Sequence, residues 1–235
     1  MPKFDLIGLD ADDTLWENER YYTQAQTQFA GLLRHYHSEE WVTERLYQTE
    51  TRNIQHFGYG IKAFVLSMIE TAVELTEGRV SGADIGELVK IARGMIEQEV
   101  ELLDGVRASL PLLANHCALA VITKGDLLDQ ERKVERSNIG SFFQHVEVVS
   151  HKSPAAYSRL LQRHNIAPQR FLMVGNSLRS DILPVLELGG NAAYIPQANT
   201  WLHEVAEAPA PGTRGFYQLK SFAQLPALLA ALEKE

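Results

Sequence analysis

The sequence predicts an α/β chain built on a doubly wound parallel sheet, with an all-helical segment inserted after the first strand. Three observations carry this reading. Short apolar runs recur at FDLIGL (4–9), ALAVIT (118–123), VEVV (146–149), FLMVG (171–175) and AAYI (192–195). Such runs, bounded by turn residues, mark strands buried on both faces, as happens when helices cover both sides of a sheet. Helical patterns separate the later runs, and strands alternating with helices give parallel pairing through right-handed crossovers. Between the first run and the second, by contrast, roughly a hundred residues carry helical periodicity and no strand pattern.

The elements follow in order. The first run is bounded by Pro2 and by the acidic cluster Asp10–Asp13. Tyr21, Ala25, Phe29, Leu32 and Tyr36 then share one helical face. Phe64, Met68, Ala72 and Leu75 share a second, and Ile85, Leu88, Val89, Ala92, Met95 and Ile96 a third, with breaks supplied at Gly58–Gly60 and Gly78–Gly82. The expected division is a helical cap over 16–103 and an α/β core made of 1–15 and 104–235. Pro111 falls inside a helical pattern over 105–115, where it either kinks the helix or starts it. Ser153–Pro154 opens another helix, an N-cap followed by proline at the first helical position, with Tyr157, Leu160, Leu161 and His164 on one face. The stretch AEAPAPGTRG (206–215) reads as a surface loop.

Composition narrows the function. The 235 residues are 45% hydrophobic and 22% charged, which suits one large domain or a domain with an insertion. A net charge of -8 without a segregated basic patch argues against nucleic acid and anionic lipid surfaces as partners. Cys117 is the only cysteine, so no internal disulfide or thiolate metal cluster can form, and a buried, inert thiol is expected. The eight histidines show no metal-ligand spacing. The amino-terminal apolar run is too short for a signal peptide, and no run approaches the ~18 residues of a membrane span. A cytoplasmic location is expected.

In open parallel sheets, ligands bind beyond the carboxyl ends of the strands. Those ends here carry Asp10-Ala-Asp12-Asp13-Thr14, then Thr123-Lys124-Gly125-Asp126, then His151-Lys152-Ser153-Pro154, and finally Gly175-Asn176-Ser177-Leu178-Arg179-Ser180-Asp181. Carboxylates at Asp10 and Asp12, two residues apart on one turn, can divide the work of nucleophile and acid/base. Packed with Asp181, they need a cation, and oxygen-only ligands at an open site suit Mg²⁺. Lys152 can hold a phosphoryl group as a point charge, and Thr123 offers a hydroxyl and a backbone N–H to phosphoryl oxygens. Asp13 reads instead as a helix cap or a solvated acid, and Lys124 and Asp126 as part of the loop and next helix start. Thr14 and Ser177 are candidates for supporting hydrogen bonds.

This set, in this order, resembles the haloacid dehalogenase superfamily. Its four strand ends carry an apolar run then DxDx(T/V), a Ser or Thr, a Lys, and an acidic GDxxxxD-type motif. Here they stand as FDLIGL-DADDT, Thr123, Lys152 and GNSLRSD. The resemblance implies a Rossmann-like core, a C1 helical cap and phosphate-ester hydrolysis through an aspartyl-phosphate on Asp10. It further implies that Asp12 protonates the leaving oxygen and activates water, and that Mg²⁺ is held by the Asp10 carboxylate, the Asp12 backbone carbonyl and Asp181. Asn176 replaces the family's first acid in that motif, which predicts weaker Mg²⁺ binding. The expected substrate is a small phosphorylated metabolite and the expected assembly a monomer or homodimer. Phosphomutase and dehalogenase-like chemistry are the neighbouring alternatives, although the dehalogenase branch lacks an acid at the Asp12 position. Asn176 also suggests a non-catalytic phospho-ligand-binding protein on the same scaffold. A receiver-type signalling domain fits poorly, since no acid stands at the end of VEVV and the chain is about twice too long.

Overall fold

A computed structural model describes residues 3–198, 201 and 204–234. Among these residues six strands are present: β1 (Leu6–Leu9), β2 (Ala118–Lys124), β3 (His145–Val149), β4 (Phe171–Gly175), β5 (Asn191–Tyr194) and β6 (Phe216–Gln218). They form one parallel sheet in the order β3-β2-β1-β4-β5-β6. The first four strands and β5 match the expected apolar runs within a residue or two. β6 does not figure among the expectations, because a three-residue FYQ segment is too short to show a period.

β1 lies at the centre, buried along its whole length between β2 and β4. Its alternate side chains feed two cores. Ile7 and Leu9, with Val121 and Val174, pack against α5 (Val106–Ala114) and α9 (Leu225–Leu232). Leu6, with Ile122 and Met173, packs instead with Tyr157, Leu160 and Leu161 of α7 (Pro154–Arg163). Each such fully buried aliphatic side chain contributes about 1.5–3 kcal/mol. Gly8 has no room for a side chain, since a Cβ there would stand 2.6 Å from Ile122 Cδ1 and 2.8 Å from the Phe171 ring. Pro111 lies inside α5 rather than starting it. α6 (Leu127–Arg136) follows β2, and a π-helical turn over Leu178–Ile182 followed by α8 (Leu183–Glu187) follows β4.

Before β2, the chain forms α1 (Glu19–Leu33), α2 (Glu39–Phe57), α3 (Ile61–Leu75) and α4 (Gly82–Glu97). Arg20–Glu99 with Gly125–Gln130 makes one compact unit, and Met1–Glu19, Val100–Lys124 and Glu131–Glu235 make the other. Phe29, Leu46, Phe64, Met68 and Leu88 centre the helical unit's own core. α2 does not stand out in the sequence, and its buried face explains why. Beyond Val42 and Leu46 that face holds Thr49, Glu50 and Asn53. Asn53 donates to Ser67 Oγ at 3.1 Å and Glu70 Oε2 at 2.7 Å, so hydrogen bonds replace the apolar stripe. Tyr36, expected on the α1 face, lies past the helix end and is exposed. Cys117 is only partly buried, yet burial raises its thiol to about 11, which leaves it protonated and inert at neutral pH.

Candidate active site

Asp10 stands immediately beyond β1. Its N–H donates to Val174 O at 2.9 Å, which continues the β1–β4 pairing one residue further and fixes the backbone beneath its carboxylate. The chain then folds tightly back. The N–H groups of Thr14, Leu15 and Trp16 converge on Ala11 O at 3.2, 2.8 and 3.3 Å. Asp13 takes a left-handed φ of 59°, a conformation aspartate tolerates better than most residues. Its carboxylate accepts from Asn18 N at 2.9 Å and Glu19 N at 3.0 Å, capping α1. Asp13 is thus a cap, as expected. Burial raises both its carboxyl and that of Glu19 to about 7.

The carboxyl ends of β1, β3 and β4 meet in one charged cluster. Lys152, almost wholly buried in the loop between β3 and α7, donates to Asp10 Oδ1 and, at 2.7 Å, to Asp181 Oδ1. Thr14 Oγ1 lies 3.0 Å from Asp10 Oδ2 and 3.3 Å from Asn176 Oδ1, which ties the loop after β1 to the β4 loop. Asp181 belongs to the π-helical turn, and Ser177 N donates to its Oδ2 at 3.0 Å. A Cβ on Gly175 would stand 2.1 Å from that same oxygen, so only glycine lets the carboxylate lie against the end of β4. Burial alone would lower the Lys152 ammonium, but the charges of Asp10 and Asp181 outweigh it and hold the group above its ordinary value. Asp181 is raised, first by burial and then by the charge of Asp10 beside it. Two carboxylates on one ammonium leave the cluster one negative charge in excess.

Asp12 and Thr123 are placed differently. The Asp12 carboxylate does not join the Lys152 cluster. Its Oδ1 accepts from Trp16 Nε1 at 2.8 Å and Lys133 Nζ at 3.0 Å, and Lys133 also donates to Asn18 Oδ1 at 2.9 Å. Thr123 is buried near the end of β2, two residues past the Leu9–Val121 pair, level with Ala11. Its hydroxyl donates to Lys124 O at 3.2 Å.

A second lysine, half-buried, adjoins these strand ends. Lys124 donates to Ser180 Oγ at 2.9 Å and to Glu204 Oε1, while the Ser177 and Ser180 hydroxyls donate to Glu204 Oε2. Burial would raise Glu204, but the Lys124 charge and these hydrogen bonds bring it down to about 2. Lys124 is therefore part of a half-buried network at the end of β2 rather than an ordinary loop residue, which corrects the expectation. Glu204 and Lys133 carry no sequence signal for such placement. Glu204 precedes an Ala/Pro-rich loop, and Lys133 looks like a helix-surface charge far along the chain from Asp12. Trp16, four residues after Asp12, could have been suspected from spacing alone. Among the described residues no three His, Cys, Asp or Glu side chains form a metal cluster. The oxygens gathered here are two carboxylates, from Asp10 and Asp181, and the Asn176 amide.

Known proteins share this architecture. A haloacid dehalogenase-like family hydrolase from Xanthomonas campestris is 38% identical, with a TM-score of 0.87 covering 100% of this chain and 98% of that one. A 2-haloacid dehalogenase from Pseudomonas syringae shares the fold at 19% identity, with a TM-score of 0.65 over 97% of this chain and 99% of its own. The mouse N-acylneuraminate-9-phosphatase is 24% identical over 97% of this chain and 94% of its own length. The pattern of the haloacid dehalogenase-like hydrolases matches residues 4–189, which takes in all four strand-end motifs. By that match, running from β1 through the Asp181 turn, the chain belongs to the haloacid dehalogenase-like hydrolase family.

Proposed function

We propose that this hydrolase is a Mg²⁺-dependent phosphatase that cleaves a small phosphorylated metabolite through an aspartyl-phosphate on Asp10. The observation that carries the reading is the Lys152 ammonium seated between Asp10 and Asp181 with negative charge in excess. Such a cluster can receive a cation and a phosphoryl group together. The donor chemistry fits Mg²⁺, because carboxylate, amide and carbonyl oxygens from Asp10, Asp181, Asn176 and the Asp12 backbone are all hard ligands. Bound there, the ion would neutralise charge on the phosphoryl oxygens and between the two carboxylates. The phosphatase among the relatives, together with an acid at Asp12, favours phosphate esters over halo-acids. The helical insertion is read as the family's cap, the part that varies with substrate.

In this mechanism an Asp10 oxygen attacks phosphorus in line, and the phosphorus–oxygen bond to the leaving group breaks. The leaving oxygen takes its proton from Asp12. Water then attacks the aspartyl-phosphate, giving its proton to Asp12, and inorganic phosphate departs with the Asp10 carboxylate restored. Lys152 orients Asp10 and screens it from Asp181. Thr123 supplies a hydroxyl and an N–H for the phosphoryl oxygens.

The test is turnover of p-nitrophenyl phosphate by the purified protein, with Mg²⁺ and with chelator. Hydrolysis is expected only with the metal, and Asp10→Asn should reduce it about a thousandfold or more. Turnover that persists in Asp10→Asn removes Asp10 as nucleophile.

A further inference from the structure

We propose that Lys133, acting with Trp16, is a positioning residue that orients the Asp12 carboxylate for proton exchange with the leaving oxygen. The proposal rests on the reading of Asp12 as acid and base given above. Trp16 Nε1 and Lys133 Nζ reach the same oxygen, Asp12 Oδ1, at 2.8 and 3.0 Å. Two donors from different elements, converging on one oxygen, fix the rotation of the carboxylate and therefore where its second oxygen lies.

Neither donor is a loose surface group. Trp16 is only 1% exposed. Its backbone bridges to Asp12 on one side and Leu102 on the other, and its carbonyl accepts Asp13 N–H at 2.7 Å. Lys133 reaches from α6 with its side chain 13% exposed, and its ammonium is held a second time by Asn18 Oδ1 at 2.9 Å. A lysine chain loses much rotamer freedom when ordered in this way. Here that ordering places an ammonium on the Asp12 carboxylate, which stands apart from the Lys152 cluster. Proton transfer depends on such placement, because a carboxyl rotated out of reach of the leaving oxygen cannot share its proton in the transition state.

The test compares kcat/KM, which reports ester cleavage, for p-nitrophenyl phosphate and for an alkyl phosphate whose leaving group needs the proton. Lys133→Met should lower the alkyl value about 10- to 100-fold, within the range of general acid catalysis, and the aryl value by no more than about threefold. Lys133→Arg should recover most of the loss, and Trp16→Phe should show the same selectivity in weaker form should Lys133→Met fold poorly. In an Asp12→Asn background, Lys133→Met should cost nothing further. An equal loss on both esters, or a loss that multiplies with that of Asp12→Asn, makes Lys133 a structural staple and overturns the proposal. If Asp12→Asn alone shows no preference between the esters, the acid role of Asp12 falls, and the orientation proposal falls with it by a route the single variant identifies.

Discussion

Two lysines lie at the carboxyl edge of the sheet, Lys152 buried and Lys124 half-buried, and their surroundings are electrostatic opposites. Lys152 is outnumbered, with one ammonium serving the carboxylates of Asp10 and Asp181, and Asp181 is raised by its burial and then by the charge of Asp10. Lys124 is in surplus company. Its acid partner Glu204 also takes hydrogen bonds from Ser177 and Ser180, and it falls to about 2. The first arrangement is left wanting positive charge, whereas the second is already satisfied. Buried charge therefore does not by itself identify a reactive group. The sign of the imbalance is what separates the two lysines.

The sharpest way to break this contrast is to remove each ammonium in turn. Lys152→Met should lower kcat/KM about a thousandfold and destabilise the protein by about 3–5 kcal/mol, since two buried carboxylates lose the ammonium that both of them contact. Lys124→Met should cost about 1–3 kcal/mol in urea unfolding yet leave kcat/KM within tenfold. If the two variants lose activity equally, the distinction between an unsatisfied and a satisfied site is wrong.

A smaller effect is expected at Gly175. Gly175→Ala places a methyl 2.1 Å from Asp181 Oδ2 and must push that carboxylate away from β4. About 1–3 kcal/mol of stability should go, with at least a tenfold rise in the Mg²⁺ concentration needed for half-maximal rate. An unchanged metal dependence would take Asp181 out of the metal's surroundings. The smallest effect is one of pH. Glu204 has a folded value of about 2, below its ordinary 4.5, so it stabilises fully above about pH 5. That contribution is lost as pH falls towards 2. Glu204→Gln should therefore be less stable than the parent at pH 7, and the gap between them should narrow steadily on acidification below pH 5. A gap that stays constant with pH would show that packing, not charge, holds the Lys124 network.

The α/β architecture was legible because both faces of the sheet are covered, which makes β1, β2 and β4 read as unbroken apolar runs. The Lys152 cluster was legible for a related reason. A parallel sheet brings every strand's carboxyl end to one edge, so Asp10, Lys152 and Asp181 meet although the sequence scatters them. What failed to show depends on contacts that no period encodes. α2 buries Thr49 and Asn53 through hydrogen bonds instead of an apolar stripe. Lys124 looks like a turn residue until Glu204 arrives from a distant loop, and Lys133 looks solvated until the β1 loop curls back beside it.

Trp16 has one more consequence. Its indole is sealed from solvent and touches the Asp12 carboxylate, whereas Trp41 is 55% exposed. Emission from a sealed ring lies to the blue of emission from a wet one, so the Trp16 component of the three tryptophans stands apart from that of Trp41, while Trp201 is half-buried. Any change in charge or rotation at Asp12 alters the field on the blue component. The protein thus carries an intrinsic optical reporter within hydrogen-bond distance of the Asp12 carboxylate, readable without a label.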